Sequence, residues 1–254
     1  MQSLSRHTEA SAPTGIFGTP LREAIAACHL GAMPETPLPE AQSSADVPLK
    51  ERPQLLQRAE ARAQYIPRIV TRSIESLEKW GVQEEGLYRI SGRSSHSSRL
   101  RALWDSPAMD LDMAAIAPAD LDVHAVCSVL KMYLRELPDP LLPKDVTQVF
   151  DRLCTEAAGG SPLTPDMQRQ LAPQLAPLMA QVPICEWYLL RELADHLGRL
   201  TEPATVERTK MPLSNLTLVL APTVQISVVT LMTVVQLRDV LFNDETRPAP
   251  DAAL

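Results

Sequence analysis

The sequence predicts an all-α fold, a bundle of about eight or nine helices. Three observations carry this reading. Apolar residues recur at three- and four-residue spacing in several long segments. Alternation at period two, which marks a half-buried strand, is absent. Prolines and capping residues stand where helices of that register would begin and end.

Taken in order, residues 1–14 carry no periodic pattern and read as a disordered lead-in. GIFGTPLREAIAACHL (15–30) opens with turn residues and passes into a short helical pattern. GAMPETPLPEAQSSADVPLKERP (31–53) combines many prolines with few large apolar residues, and a flexible insertion is expected near 31–63. In YIPRIVTRSIESLEKWG, Ile66, Ile69, Val70, Ile74 and Leu77 form one stripe. Pro67 suits its first turn and Gly81 its C-terminal cap. In LDVHAVCSVLKMYLRELPDP the stripe is Val126, Val129, Leu130, Tyr133, Leu134 and Leu137, with Asp122 as N-cap and Pro138 as the stop. TPDMQRQLAPQLAPLMAQ offers Thr164 as cap and Pro165 at the first helical position. CEWYLLRELADHLGRL carries Trp187, Leu190, Leu193, Ala194 and Leu197. Residues 244–254 read as a polar tail, which leaves a domain at 15–243.

The chain has 254 residues, 45% of them hydrophobic and 22% charged, enough for one large domain or two small ones. A net charge of -7 disfavours nucleic-acid binding as the main role, since a basic stripe is its usual footprint. Cys28, Cys127, Cys154 and Cys185 are far apart, with no C-x-x-C pair and no histidine at ligand spacing. No metal site or disulfide framework is expected, and buried thiols in a reducing compartment fit best. MQSLSRHTEA has no apolar core of the kind a signal peptide needs. Met211–Leu237 is free of charge and long enough to span a bilayer, but Asn215, Pro222, Gln225 and Gln236 interrupt it. It reads as two buried core segments around a turn at Pro222 rather than a membrane span.

Four polar residues fit this picture less easily. In EEGLYRISGR, Arg89 stands between Tyr88 and Ile90, with Gly86 and Gly92 on either side, in a chain of only 9 glycines. The plain reading is a solvated arginine, or one paired with Glu84 or Glu85. The alternative is an arginine projecting from a loop that Leu87 and Ile90 anchor, with the two glycines supplying loop flexibility and close approach. A guanidinium in that position suits a phosphate or carboxylate. Lys131 and Arg135 lie four apart on one helix face, where like charges repel by a few tenths of a kcal/mol, roughly. They are either a solvated face offset by Glu136 or Asp139, or a cationic rib facing an acidic partner. Asn215 is a local cap or core amide, or an amide that bonds across an interface or holds an arginine loop. His7, His29, His96, His124 and His196 are scattered and make no triad, and no phosphate-binding glycine loop is present.

Three segments, GLYRISGR (86–93), LKMYLRELPDPLLP (130–143) and KMPLSNLTLVLAPT (210–223), are similar, in order, to the signature blocks of the Rho GTPase-activating (RhoGAP) domain family. IFGTPL (16–21) resembles the opening of that domain, and the resemblance extends over about residues 15–243. It implies an all-helical bundle that activates a Rho-family small GTPase in its GTP-bound form. Arg89 would be the arginine finger supplied in trans. Lys131 and Arg135 would support the finger loop and face the GTPase. Asn215 would contact the partner and Pro222 would be structural. The family implies no cofactor of its own, because GTP and Mg²⁺ belong to the partner, and no independent catalysis. Nucleic acid and a membrane span are not expected. A cytoplasmic protein is, with peripheral membrane association left to other domains. The alternative is a catalytically silent module of the same fold that docks on a GTPase or scaffold. The chain departs from the family pattern at Thr209, where asparagine is usual, at Ala221, where glycine is common, and in a short segment between Pro222 and the last helix.

Overall fold

The computed structural model describes residues 15–30, 52–106 and 109–249. The expected lead-in 1–14 and most of the expected insertion lie outside them. Among the described residues there are twelve α-helices and no strand. They are α1 (Leu21–Leu30), α2 (Arg52–Tyr65), α3 (Arg68–Lys79), α4 (Ser94–Trp104), α5 (Val123–Glu136) and α6 (Lys144–Ala158), then α7 (Pro165–Met179), α8 (Ile184–Leu200), α9 (Pro203–Thr209), α10 (Leu213–Val224), α11 (Val228–Gln236) and α12 (Arg238–Leu241). The all-α class holds. The number exceeds eight or nine because α9 and α12 are too short to show a periodic stripe and most of α2 falls in the expected insertion.

The predicted stripes form one continuous core. Ile69, Val70, Ile74 and Leu77 of α3 are buried, as are Val126, Val129, Leu130, Tyr133 and Leu134 of α5. Helix α5 packs against α3, α4 and α10, while α8 touches α2, α3, α10 and α11. These two helices therefore frame whatever sits between the chain segments 81–93 and 203–224. All four cysteines are buried thiols, and burial pushes Cys127 up to about 12.

Several expectations need correction. Residues 52–63, taken as part of a flexible insertion, belong to α2. Arginine, leucine, alanine and glutamine dominate that helix, and Pro53 falls in its first turn, where a missing N–H is tolerated. Arg62 reaches Glu192 of α8 at 2.8 Å, and Tyr65 stacks on Tyr188 with ring centroids 4.6 Å apart. Gly81 is not the cap of α3. Trp80 takes that place and Gly81 begins a short 3-10 turn (Gly81–Gln83). Pro222 does not make the turn in the apolar stretch. It lies in the last turn of α10, and the chain reverses after Gln225, which adopts left-handed backbone (φ 57°). Helices α10 and α11 meet at 116°, and no single helix among the described residues is long and apolar enough to cross a membrane. Leu216, Leu220, Leu231 and Val234 of the bent pair lie in the core. The expected polar tail begins with an ordered turn: Asn243 accepts from the amides of Glu245 and Thr246, and Thr246 is buried.

The opening IFGTPL closes over α4 and α5. The Ile16 amide donates to Asp105 at 3.1 Å, and Phe17 lies under the Arg101 guanidinium and edge-on to Tyr133.

Candidate functional site

Leu87 and Tyr88 are fully buried, whereas Arg89 and Ile90 are exposed. Ile90, expected to be an anchor, is 44% exposed, and Tyr88 takes that role at 1%. The reason is backbone geometry. Gly86 has φ 71° and Tyr88 has φ 68°. Two left-handed residues in three reverse the chain so that the Tyr88 side chain enters the core and Arg89 leaves it. At Gly86 this is free of steric cost, but at a tyrosine it is uncommon and must be held by its surroundings. The side chains of Ile90 and Arg89 fold over Gly86, close to where a Cβ would sit.

Two helices, α9 and α5, hold the backbone of the loop. From α9, the Thr209 carbonyl accepts from the Gly86 amide at 2.7 Å. From α5, the Lys131 ammonium donates to the Tyr88 carbonyl at 2.5 Å. The start of α5 grips the far end of the loop. Ser128 accepts from the Gly92 amide at 3.1 Å, and Asp122 accepts from the Arg93 amide at 2.9 Å while also capping α5. Gly92 is less a source of flexibility than of contact. A Cβ there would stand 2.1 Å from the Ala125 nitrogen. Each neutral bond of this kind is worth about 1 kcal/mol, and the charge-assisted ones about 1.5–3.

Behind the loop, the Tyr88 hydroxyl meets His196 Nε2 at 2.9 Å, and His196 Nδ1 meets Glu78 Oε1 at 2.8 Å. Glu78 also accepts from Arg199. Burial opposes ionisation of Glu78, but the hydrogen bonds from His196 and Arg199, with the Arg199 charge, prevail and hold its carboxyl below the ordinary value. Burial raises the Tyr88 phenol well above its usual range. Sequence reasoning passed over Glu78, His196, Asp122 and Ser128 as functional residues. Only Asp122 carried a signal, as a cap.

The predicted site residues divide as follows. Lys131 is half-buried and engaged on the loop. Desolvation lowers its pKa, and the neighbouring Arg135 acts in the same direction. Arg135 is exposed. Glu136, one proposed source of compensation for it, is committed to Arg101 of α4 through two contacts of 2.5 and 2.8 Å. Neither the Arg89 nor the Arg135 side chain has a hydrogen bond or ion pair among the described residues. Glu84 and Glu85 therefore do not pair with Arg89. Asn215 is half-buried on α10, which packs on α5, and its side chain bonds to no part of the loop among the described residues. The third block reaches the loop through Thr209 instead. Leu218, one turn on from Asn215, is 63% exposed. Pro222 is exposed in the last turn of α10 and leaves the Leu218 carbonyl without its helical donor.

An all-helical domain with a cationic loop braced on three helices is a class that comparison with known proteins makes definite. The family model described as the RhoGAP domain matches residues 67–227, well over half of the chain. This chain belongs to the RhoGAP domain family. It is 33% identical over 165 residues to RalA-binding protein 1-A of Xenopus laevis, covering 64% of this chain and 22% of that protein. It is 35% identical over 157 residues to Rho GTPase-activating protein gacY of Dictyostelium discoideum, covering 62% and 20%. It is 31% identical over 158 residues to the human breakpoint cluster region protein, covering 62% and 11%. The chain thus spans about a fifth or less of the curated relatives it matches. The BH domain from GRAF, the GTPase regulator associated with focal adhesion kinase, shares the fold. Its TM-score is 0.55 at 22% identity, over 71% of this chain and 95% of that one.

Proposed function

We propose that this chain is a GTPase-activating domain for a Rho-family small GTPase in its GTP-bound form, with Arg89 as the finger inserted in trans. One observation supports this above all. Arg89 is an exposed guanidinium with no partner among the described residues, on a loop held by α5, α8 and α9. An unpaired cation on a held loop has no ion pair to break when charge develops opposite it.

In the partner, water attacks the γ-phosphate and negative charge redistributes in the transition state. Arg89 stabilises that charge with its planar fork of donors, worth roughly 10³ to 10⁵ in rate, or about 4–7 kcal/mol. Lys131 holds the Tyr88 carbonyl and so sets the loop. Arg135 adds positive charge on the same helix face for an acidic partner surface. Asn215 meets the partner from α10, and Ile90 and Leu218 supply apolar contact at the rim. The chain needs no cofactor of its own, since GTP and Mg²⁺ are the partner's. A cytoplasmic location goes with this reading, with recruitment to membranes by other domains of a longer protein.

The test is single-turnover hydrolysis of GTP preloaded on GTPases of the Rho, Rac and cell-division-control types, with wild type and Arg89→Ala at several concentrations. Wild type should accelerate at least one by orders of magnitude. Arg89→Ala should bind without accelerating, and Arg89→Lys should be poor because an ammonium lacks the fork. Binding by wild type without acceleration would overturn the catalytic role and leave a silent docking module.

A further inference from the structure

We infer that Glu78, His196 and Tyr88 form a positioning chain that fixes the direction of Arg89, an assignment that rests on reading Arg89 as the finger. Tyr88 is the residue on which the direction of Arg89 depends, since its left-handed backbone sends its own ring inward and the next side chain outward. Its two polar ends are tied to different helices. The carbonyl is held by Lys131 of α5, and the hydroxyl by His196 of α8.

The hydrogen bonds run in one direction. Glu78 is an ionised acceptor, so His196 Nδ1 carries a proton and donates to it at 2.8 Å. In the neutral ring Nε2 is then an acceptor, and the Tyr88 hydroxyl donates to it at 2.9 Å. His196 is completely buried, so its ring is fixed by packing as well as by Glu78. Leu130, Leu134, Leu193 and Leu197, which line the same cavity as Tyr88 and His196, are apolar and offer no alternative acceptor. The phenol therefore has one satisfied orientation, and a positive-φ residue that would relax elsewhere is held in place. Glu78 orients His196, His196 orients Tyr88, and Tyr88 aims Arg89. None of the three touches the reacting atoms.

A core polar cluster without this role predicts lower stability only, so the test separates position from stability. Tyr88→Phe removes the hydroxyl alone. His196→Asn keeps a donor where Nδ1 stands and loses the acceptor for Tyr88, whereas His196→Gln places an amide oxygen where Nε2 stands and keeps it. In single-turnover assays Tyr88→Phe and His196→Asn should lower the rate at saturating activator about 10- to 100-fold. The half-saturating concentration should stay unchanged. His196→Gln should recover much of the rate, and Tyr88→Phe/His196→Asn should lose no more than either alone. Hydrogen exchange at the Arg89 and Ile90 amides, both bonded to the Gly86 carbonyl, should quicken in His196→Asn but not in His196→Gln. If all variants melt earlier yet keep the wild-type saturating rate, the positioning role is wrong. If wild-type protein accelerates no GTPase, the activator reading fails on its own, and amide exchange still decides whether the chain sets the loop. Equal exchange in His196→Asn and His196→Gln refutes it.

Discussion

Gly92→Ala is the smallest change that should move the finger without touching it. The new Cβ would lie 2.1 Å from the Ala125 nitrogen and 2.3 Å from its Cα. These are backbone atoms in the first turn of α5, which Asp122 caps, so no side chain can swing away to make room. Ordinary contact begins at 3.4 Å, so the loop must retreat by about 1 Å. That retreat breaks the Gly92 bond to Ser128 and the Arg93 bond to Asp122. With one neutral and one charged acceptor, the loss is about 2–4 kcal/mol of stability. Arg89 is three residues away on the same loop, and a displacement of about 1 Å in a catalytic group can cost 10²-fold. Single-turnover hydrolysis at saturating activator should therefore fall by about 10- to 100-fold, and the urea midpoint should drop in parallel. A variant with the wild-type saturating rate and an unchanged midpoint would mean that the loop does not rest on α5 as described.

Three further outcomes follow from the same contacts. Lys131→Met keeps the stem and removes the donor to the Tyr88 carbonyl, so the saturating rate should fall by about 10-fold; full activity in both Lys131→Ala and Arg135→Ala would remove these residues from the site. Glu78 has a folded pKa below its ordinary 4.5, with burial opposed and outweighed by His196 and Arg199, so its contribution is complete above that value and fades as pH falls through the folded pKa. Glu78→Gln should therefore have a lower urea midpoint than wild type at pH 7, and the gap should close as pH falls below 4.5. Thr209→Val removes a hydroxyl that donates to Thr205 and accepts from the Met211 amide. It should cost about 1–3 kcal/mol in thermal or urea unfolding while leaving the saturating rate of the folded protein intact.

What the sequence made legible was whatever repeats along one helix. The stripes of α3, α5 and α8 needed only spacing, and they were buried as expected. Lys131 and Arg135 were visible because they are neighbours on one face. Contacts between segments far apart in the chain were not visible. Tyr88 and His196 are separated by 108 residues, and His196 and Glu78 by 118. Nothing local marks a histidine on an apolar helix as the partner of a loop tyrosine. Gly92 looked like a source of freedom because its neighbour, the first turn of α5, comes from another part of the chain. Ile90 looked like an anchor because hydrophobicity alone says nothing of direction, which Tyr88 sets through its backbone angle.

The departure at Thr209 is consistent with a working loop for a reason that geometry supplies. What the loop takes from residue 209 is its carbonyl, which accepts from Gly86. Any residue that ends α9 and lets Lys210 turn left-handed (φ 56°) presents that carbonyl in the same way. The threonine hydroxyl works locally, satisfying the Met211 amide after the turn. A side chain of another type can thus stand here while the finger loop keeps its support. The short segment after Pro222 is accommodated by a comparable device. Gln225 reverses the chain, and Ser227 caps α11 while bonding to Asp151 of α6. Thr230, one turn on, bonds to the same carboxylate. These bonds tie α11 to α6, and Leu231, Val234 and Leu241 lie in the core. The braces on Arg89 come from α5, α8 and α9, and none of them passes through this shortened region. The length of that segment should therefore affect the stability of the bundle far more than the position of the finger.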